Sequence, residues 1–298
     1  MGENAPIKLL KLEVANLVLG IDAQETQLEL TLPQVHQKFS LPQPIEGASN
    51  RASLPTLILK VNNKPIPDKQ DMQKRLCQVE VWELWRDGLG QLVFTQPHHF
   101  PLRWVVVDPA FRQGEIRGDF SSIQGKAFYP LLHIDIVLFS NWLATFNDLI
   151  LHASGVAING NGYGFVGASG RGKSTLIRDL AGKPGVTALG EDQIILRQLN
   201  GRFWIFGTPW HLDPSRCSPV GVPLSKLFFL DREAIETVMP VSPFEGVTQL
   251  MQTAFVPFYL PDKVNMIMAR LANLAEEVPF YTLAYKLGTD ILPRILDA

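Results

Sequence analysis

The 298 residues carry 46% hydrophobic and 19% charged side chains, the balance of a folded globular protein with one large or two ordinary cores. A formal net charge of −2 excludes a global electrostatic pull toward nucleic acid or an anionic membrane. The two cysteines, Cys77 and Cys217, form no C-x-x-C pair, which excludes a disulfide framework and a structural zinc site and fits a reducing, cytoplasmic setting.

The first residues, Met-Gly-Glu-Asn-Ala-Pro, lack a basic region followed by an apolar core, so no signal peptide is expected. Ile7 to Leu32 reads as strand, with clean alternation in Gln-Leu-Glu-Leu-Thr-Leu. Residues 33–55 read as loop and Leu57 to Val61 as a strand, followed by a Pro-rich turn from Asn62 to Pro67. Gln78 to Trp85 and Gln91 to Phe94 read as two strands joined by Arg-Asp-Gly-Leu-Gly, with Trp82 and Trp85 on strand faces. His98 and His99 have no carboxylate or cysteine at ligand spacing and read as an exposed loop pair. Arg103 to Val107 is one more strand. No motif in this part carries chemistry. Residues 1–120 are therefore expected to form a β-rich N-terminal domain for recognition or partner binding.

Residues 121–298 read differently, as an α/β domain. Leu131 to Leu149 has apolar residues at helical spacing and predicts a buried helix, broken by His133, Asp135, Ser140 and Asn141 and too short to span a bilayer. Strands follow over Ile150 to Ile158 and, after Asn-Gly-Asn-Gly, over Tyr163 to Val166. Next comes Gly167 to Thr175, Gly-Ala-Ser-Gly-Arg-Gly-Lys-Ser-Thr, which fits G-x-x-x-x-G-K-[ST]. A backbone that wraps its N–H groups around phosphate oxygens needs positions without Cβ, here Gly167, Gly170 and Gly172. In such a loop Lys173 faces the β- and γ-phosphates and the Ser174 hydroxyl faces Mg²⁺; Ser169, Arg171 and Thr175 complete the expected nucleotide-binding set. Leu176 to Ala181 continues as a helix, the context that puts a helix N-terminus under a phosphate.

Val186 to Leu189 predicts a strand ending at Glu191 and Asp192, at the carboxyl edge where open α/β sheets bind ligands. Either carboxylate suits a water-bridged Mg²⁺ or an attacking hydroxyl's proton. His152 reads either as a core histidine or as a site residue, and His211 as a loop histidine without a role. Ile194 to Gln198 and Phe203 to Phe206 predict a hairpin, Leu227 to Leu230 a buried strand, Val247 to Phe255 and Lys263 to Glu277 helices, Phe280 to Leu287 a strand and Ile291 to Leu296 a short helix.

The run LHASGVAINGNGYGFVGASGRGKSTL resembles the catalytic domain of the HPr kinase/phosphorylase family, and more closely the HPr-kinase-related proteins of bacterial peptide-modification and natural-product gene clusters. In that family a histidine opens the strand before the loop, as His152 does here. An Asp-Asp pair ends the next strand, the second being the proposed base; this chain has Glu191-Asp192. Gly207-Thr208-Pro209-Trp210-His211, Pro223 to Leu230 and Val278 to Leu283 echo further family segments. The resemblance covers roughly residues 105 to 298. It implies a P-loop catalytic domain of HPr kinase type that uses ATP and Mg²⁺ to phosphorylate a serine of a peptide or protein. Lys173 would hold phosphate, Ser174 and Glu191 would support the metal, and Asp192 would take the hydroxyl proton. His152 would orient Asp192 or sense the γ-phosphate. Glu191 departs from the pattern. The N-terminal part does not look like the family's regulatory domain, so neither HPr as substrate nor the hexamer carries over, and homo-oligomerisation stays open. A transporter ATPase is excluded because no Leu-Ser-Gly-Gly-Gln follows the loop. A nucleotide-binding regulator without transfer and a kinase of a small-molecule hydroxyl are the alternatives.

Overall fold

The structure, a computed structural model, describes residues 6–42, 54–64, 72–96, 102–123, 125–168, 170–211, 213–231, 237–286 and 288–298. His98, His99 and Ser169 fall outside them. The protein is mixed α/β, and the chain divides into two compact units, Met1–Phe139 and Ser140–Ala298.

The first unit is built on strands β1 (Leu9–Val14), β2 (Leu17–Asp22), β3 (Glu29–Leu30), β4 (Thr56–Asn62), β5 (Met72–Gln78), β6 (Glu83–Asp87), β7 (Leu92–Thr95), β8 (Arg103–Val107), β9 (Gln113–Gly118) and β10 (Ala127–Phe128). Eight of them form one sheet in the order β1-β2-β4-β9-β8-β7-β6-β5. Alternation in β1 and β4 buries Leu10, Leu12, Val14, Leu57, Leu59 and Val61 on one face. The single strand expected over Gln78 to Trp85 is instead the end of β5, a turn in which Val79 N–H donates to Trp82 O at 3.0 Å, and the start of β6. β9 has no strand signal of its own: Gln-Gly-Glu-Ile-Arg-Gly is extended because it pairs with both β4 and β8.

Residues beyond 120 stay tied to this unit. Arg103, fully buried, donates to Pro130 O and Leu132 O at 2.5 and 3.1 Å. Asp135 accepts from Tyr129 Oη at 3.2 Å and pairs with His36 Nε2 at 2.7 Å. The division therefore falls within helix α1 (Asp135–Ala144) rather than near residue 120. α1 is shorter than the expected 131–149, since His133 and Asn147 adopt positive φ on either side of it.

The second unit runs β11 (Leu149–Leu151), β12 (Ala153–Ile158), β13 (Asn161–Val166), α2 (Lys173–Ala181), β14 (Val186–Gly190), β15 (Ile194–Leu199), β16 (Arg202–Phe206), β17 (Gly221–Asp231), β18 (Thr237–Pro240), α3 (Pro243–Thr253), α4 (Pro261–Glu277), β19 (Phe280–Ala284) and α5 (Leu292–Asp297). Asn159-Gly160 and Asn200-Gly201, all at positive φ, close the hairpins β12–β13 and β15–β16 in the turn that matches strand twist. The long β17 is central, parallel to β13 and to β19. Its alternating side chains build two cores. Phe228 stacks on Phe165 and Tyr281 beneath Leu176, Ile177 and Leu180 of α2 and Ile295 of α5. Phe229 packs edge-on to Phe280 on the other face, with Leu250 of α3 and Ile267, Leu271 and Leu274 of α4. Each such aromatic or leucine contributes on the order of 1.5–3 kcal/mol by leaving water. α3 starts at Pro243, before the expected Val247, because Ser242 and Glu245 form a capping box there. Among the described residues no helix is long and apolar enough to cross a membrane.

Candidate phosphate and acceptor site

β13, β17 and β19 are parallel, and β14 runs the same way because it is antiparallel to β12, which is antiparallel to β13. Their carboxyl ends therefore share one edge of the sheet. Across that edge lie Asp192 after β14, His152 before β12, Gly167 after β13, Asp231 at the end of β17 and Tyr285 after β19. The loop 167–172 sits in the middle of this row.

Gly170 and Gly172 adopt φ of 77° and 94°. At Gly172, the N-cap of α2, a Cβ would stand 3.0 Å from Tyr285 Oη, so conformation and space both call for glycine. Its carbonyl accepts from Leu176 N–H at 2.9 Å and from Tyr285 Oη at 2.8 Å, which fixes the start of α2. Ser174 is exposed and Thr175 half-buried in the first turn. Arg171 reaches across to Asp231, 2.9 Å from Nη1 to Oδ1.

Lys173 is buried, only 6% exposed. Its ammonium donates to Gly167 O at 2.6 Å and Ala168 O at 3.3 Å, and lies 3.2 Å from His152 Nε2. An ammonium is donor only, so Nε2 accepts and Nδ1 carries the ring proton. Nδ1 in turn faces Asp192 Oδ1 at 3.2 Å. Asp192 Oδ2 accepts from Gln193 Nε2 at 2.9 Å. The three residues singled out separately in the sequence thus form one line, Lys173–His152–Asp192. Burial pushes the His152 pKa down and the Lys173 charge adds to this, against the pull of Asp192. Burial also lowers the Lys173 pKa, again opposed by Asp192. The main chain of His152 is held too, its N–H donating to Thr253 O at 2.8 Å. Beside it opens a cleft of about 520 Å³ lined by His152, Ala168 and the segment from Gln252 to Val256.

Glu191 is engaged elsewhere. Its carboxylate pairs with Arg216 Nη1 at 2.8 Å, while Arg216 Nε meets Asp213 at 3.1 Å. Its carbonyl accepts from Ser154 Oγ at 2.5 Å. Arg216 carries no signal in the sequence; only the fold brings its turn against the end of β14. His211 also belongs to this neighbourhood. Thr208 Oγ1 donates to Gln193 O at 2.8 Å and lies 3.0 Å from His211 Nε2, so Nε2 donates. Burial pushes the His211 pKa down to about 4, despite the charges of Asp192 and Glu191. Among the described residues no group of three or more His, Cys, Asp or Glu is placed to hold a metal ion. Mg²⁺ takes one or two carboxylates and fills its sphere with phosphate and water, a demand that the exposed Ser174 hydroxyl and the half-exposed Asp192 carboxylate suit.

No family model matches the chain, and no curated protein matches it. Among solved structures it is similar to the Hpr(Ser) kinase/phosphatase from Coxiella burnetii, at 14% identity and a TM-score of 0.27, over 50% of this chain and 86% of that chain. A likeness that slight carries no weight for activity.

Proposed function

We propose that the protein is an ATP- and Mg²⁺-dependent phosphotransferase that phosphorylates a hydroxyl, a serine of a peptide or protein, in the cytoplasm. The observation that supports this most is the line Lys173–His152–Asp192 across the mouth of the glycine loop. The loop is read as a P-loop: its amides and Lys173 hold phosphate oxygens, which replace Gly167 O and Ala168 O as partners of the ammonium. The glycine cradle fits this, since a Cβ at Gly167 would press on Arg171 and Leu230 at 3.3 Å. Ser174 would hold Mg²⁺ directly and Asp192 through a water, and the ion would supply charge neutralisation on the transferring phosphate.

The protein's own groups then handle the acceptor. Gln193 Nε2 donates to one carboxylate oxygen of Asp192, and His152 Nδ1 stands 3.2 Å from the other. A hydroxyl entering beside the His152 cleft meets the remaining lone pairs of the carboxylate; Asp192 accepts its proton as the hydroxyl oxygen bonds to the γ-phosphorus and the bond from that phosphorus to ADP breaks. Burial, with the Lys173 ammonium facing Nε2 adding to it, favours the neutral ring of His152. Incubation with γ-labelled ATP and serine peptides tests this: label on serine supports transfer.

A second reading, a nucleotide-binding regulator without transfer, is favoured by one observation. Arg216 occupies the Glu191 carboxylate and leaves Asp192 as the carboxylate facing the loop lysine through His152. Bound ATP with no label transferred to any acceptor would support that reading instead.

A further inference from the structure

The edge of the second sheet has a direction that the phosphate loop alone does not. Lys173 Nζ, the group for β- and γ-phosphates, leans to the His152 side, 3.2 Å from Nε2. The γ end of a bound triphosphate therefore faces His152 and Asp192. The remainder of the nucleotide must leave the loop the opposite way, over the carboxyl ends of β17 and β19. Register places Val166, Phe229 and Thr282 level across β13, β17 and β19. Tyr285 stands three residues beyond Thr282, in the row above the sheet edge where ligands of α/β proteins sit.

Tyr285 is tied to the loop, its hydroxyl donating to Gly172 O at 2.8 Å. Its ring is half-buried against the core beneath α2. Burial, with the Asp179 charge, keeps the phenol protonated and able to donate. An aromatic ring fixed at both its hydroxyl and its inner face loses little freedom when a flat ligand covers the rest. We propose that Tyr285 is the platform for the nucleobase, so that the ligand spans the edge from Tyr285 to Asp192 with the loop between. This rests on the phosphate-site reading of Gly167 to Thr175 and adds what that reading lacks: which side takes the nucleoside, and which residue meets it.

The test compares Mg-ATP with Mg-tripolyphosphate, which has the phosphates but no nucleoside, by calorimetry. Tyr285→Ala should weaken ATP binding about ten- to hundredfold, the range of base–aromatic stacking, and leave tripolyphosphate within about twofold. Tyr285→Phe, which keeps the ring and the packing, should hold ATP affinity within about threefold of wild type. Equal losses for both ligands would overturn the proposal, since Tyr285 would then act only through the loop. Unchanged ATP affinity in Tyr285→Ala, or wild-type ATP binding no tighter than tripolyphosphate, would overturn it as well. A wild-type protein that binds neither ligand would overturn the phosphate-site reading and this inference with it.

Discussion

The Lys173 ammonium stands 3.2 Å from Nε2 of His152 and makes its two other bonds to carbonyls of its own loop. His152 thus stands between the loop ammonium and Asp192. Replacing it with Ala removes the donor that aims Asp192 but leaves the loop intact. Single-turnover transfer should fall about ten- to a hundredfold, as expected when a catalytic carboxylate is left in place but unaligned. ATP affinity should stay within a few-fold. His152→Gln, whose amide also offers an acceptor and a donor, should recover part of the rate. Equal rates for Ala, Gln and wild type would remove His152 from the mechanism.

The Glu191–Arg216 pair gives a prediction of opposite signs. Glu191→Gln removes a negative charge beside the site and should raise the Mg²⁺ concentration needed for half-maximal transfer. Arg216→Ala frees the Glu191 carboxylate from its 2.8 Å partner and should lower it. A partly exposed pair contributes about 0–1 kcal/mol to stability, so neither change should unfold the protein. An Mg²⁺ titration that moves with neither substitution would leave Glu191 as a tether of the 213–216 turn alone.

Much of the second unit was legible because its signals are local. The glycine pattern of 167–172, the periodicity of 173–181 and the Asn-Gly turns each act within a few residues, and strand, loop and helix appear where those signals put them. What was illegible depends on partners far along the chain. β5, β9 and β18 have weak patterns and are extended because neighbours pair with them. β17 starts at Gly221, six residues before the expected Leu227, since Gly221 to Pro223 pair with β16 and Leu224 onward with β13. The same holds in the site. His152, Lys173 and Asp192 were each visible as residue types, but the contacts that bring them into one line were not. Arg216 and Tyr285 drew no attention, because nothing near them in sequence marks a turn that returns to Glu191 or a strand end that returns to Gly172.

His211 sets a pH dependence of stability. Its folded-state pKa of about 4 lies below the ordinary 6.5, so folding favours the neutral ring. That stabilisation is complete above about pH 6.5 and is lost as pH falls toward 4, by up to about 3 kcal/mol. His211→Gln cannot titrate. Denaturant melts at pH 7.5 and pH 4.5 should show wild type losing more stability on acidification than the variant. Parallel losses would mean that burial does not hold His211 neutral.

Asp192 is the centre of the account. Asp192→Asn keeps the shape; with its oxygen toward Gln193 Nε2, which now meets Oδ2 at 2.9 Å, its nitrogen faces His152, and an amide cannot take a proton. General-base catalysis contributes about 10²–10⁴-fold. With γ-labelled ATP and a serine acceptor that the wild type phosphorylates, the variant should therefore transfer label at least about a hundredfold more slowly while calorimetry shows ATP affinity within a few-fold of wild type. Transfer at the wild-type rate by Asp192→Asn would contradict the account directly, because the proton would then leave by a group other than the one His152 holds toward the loop.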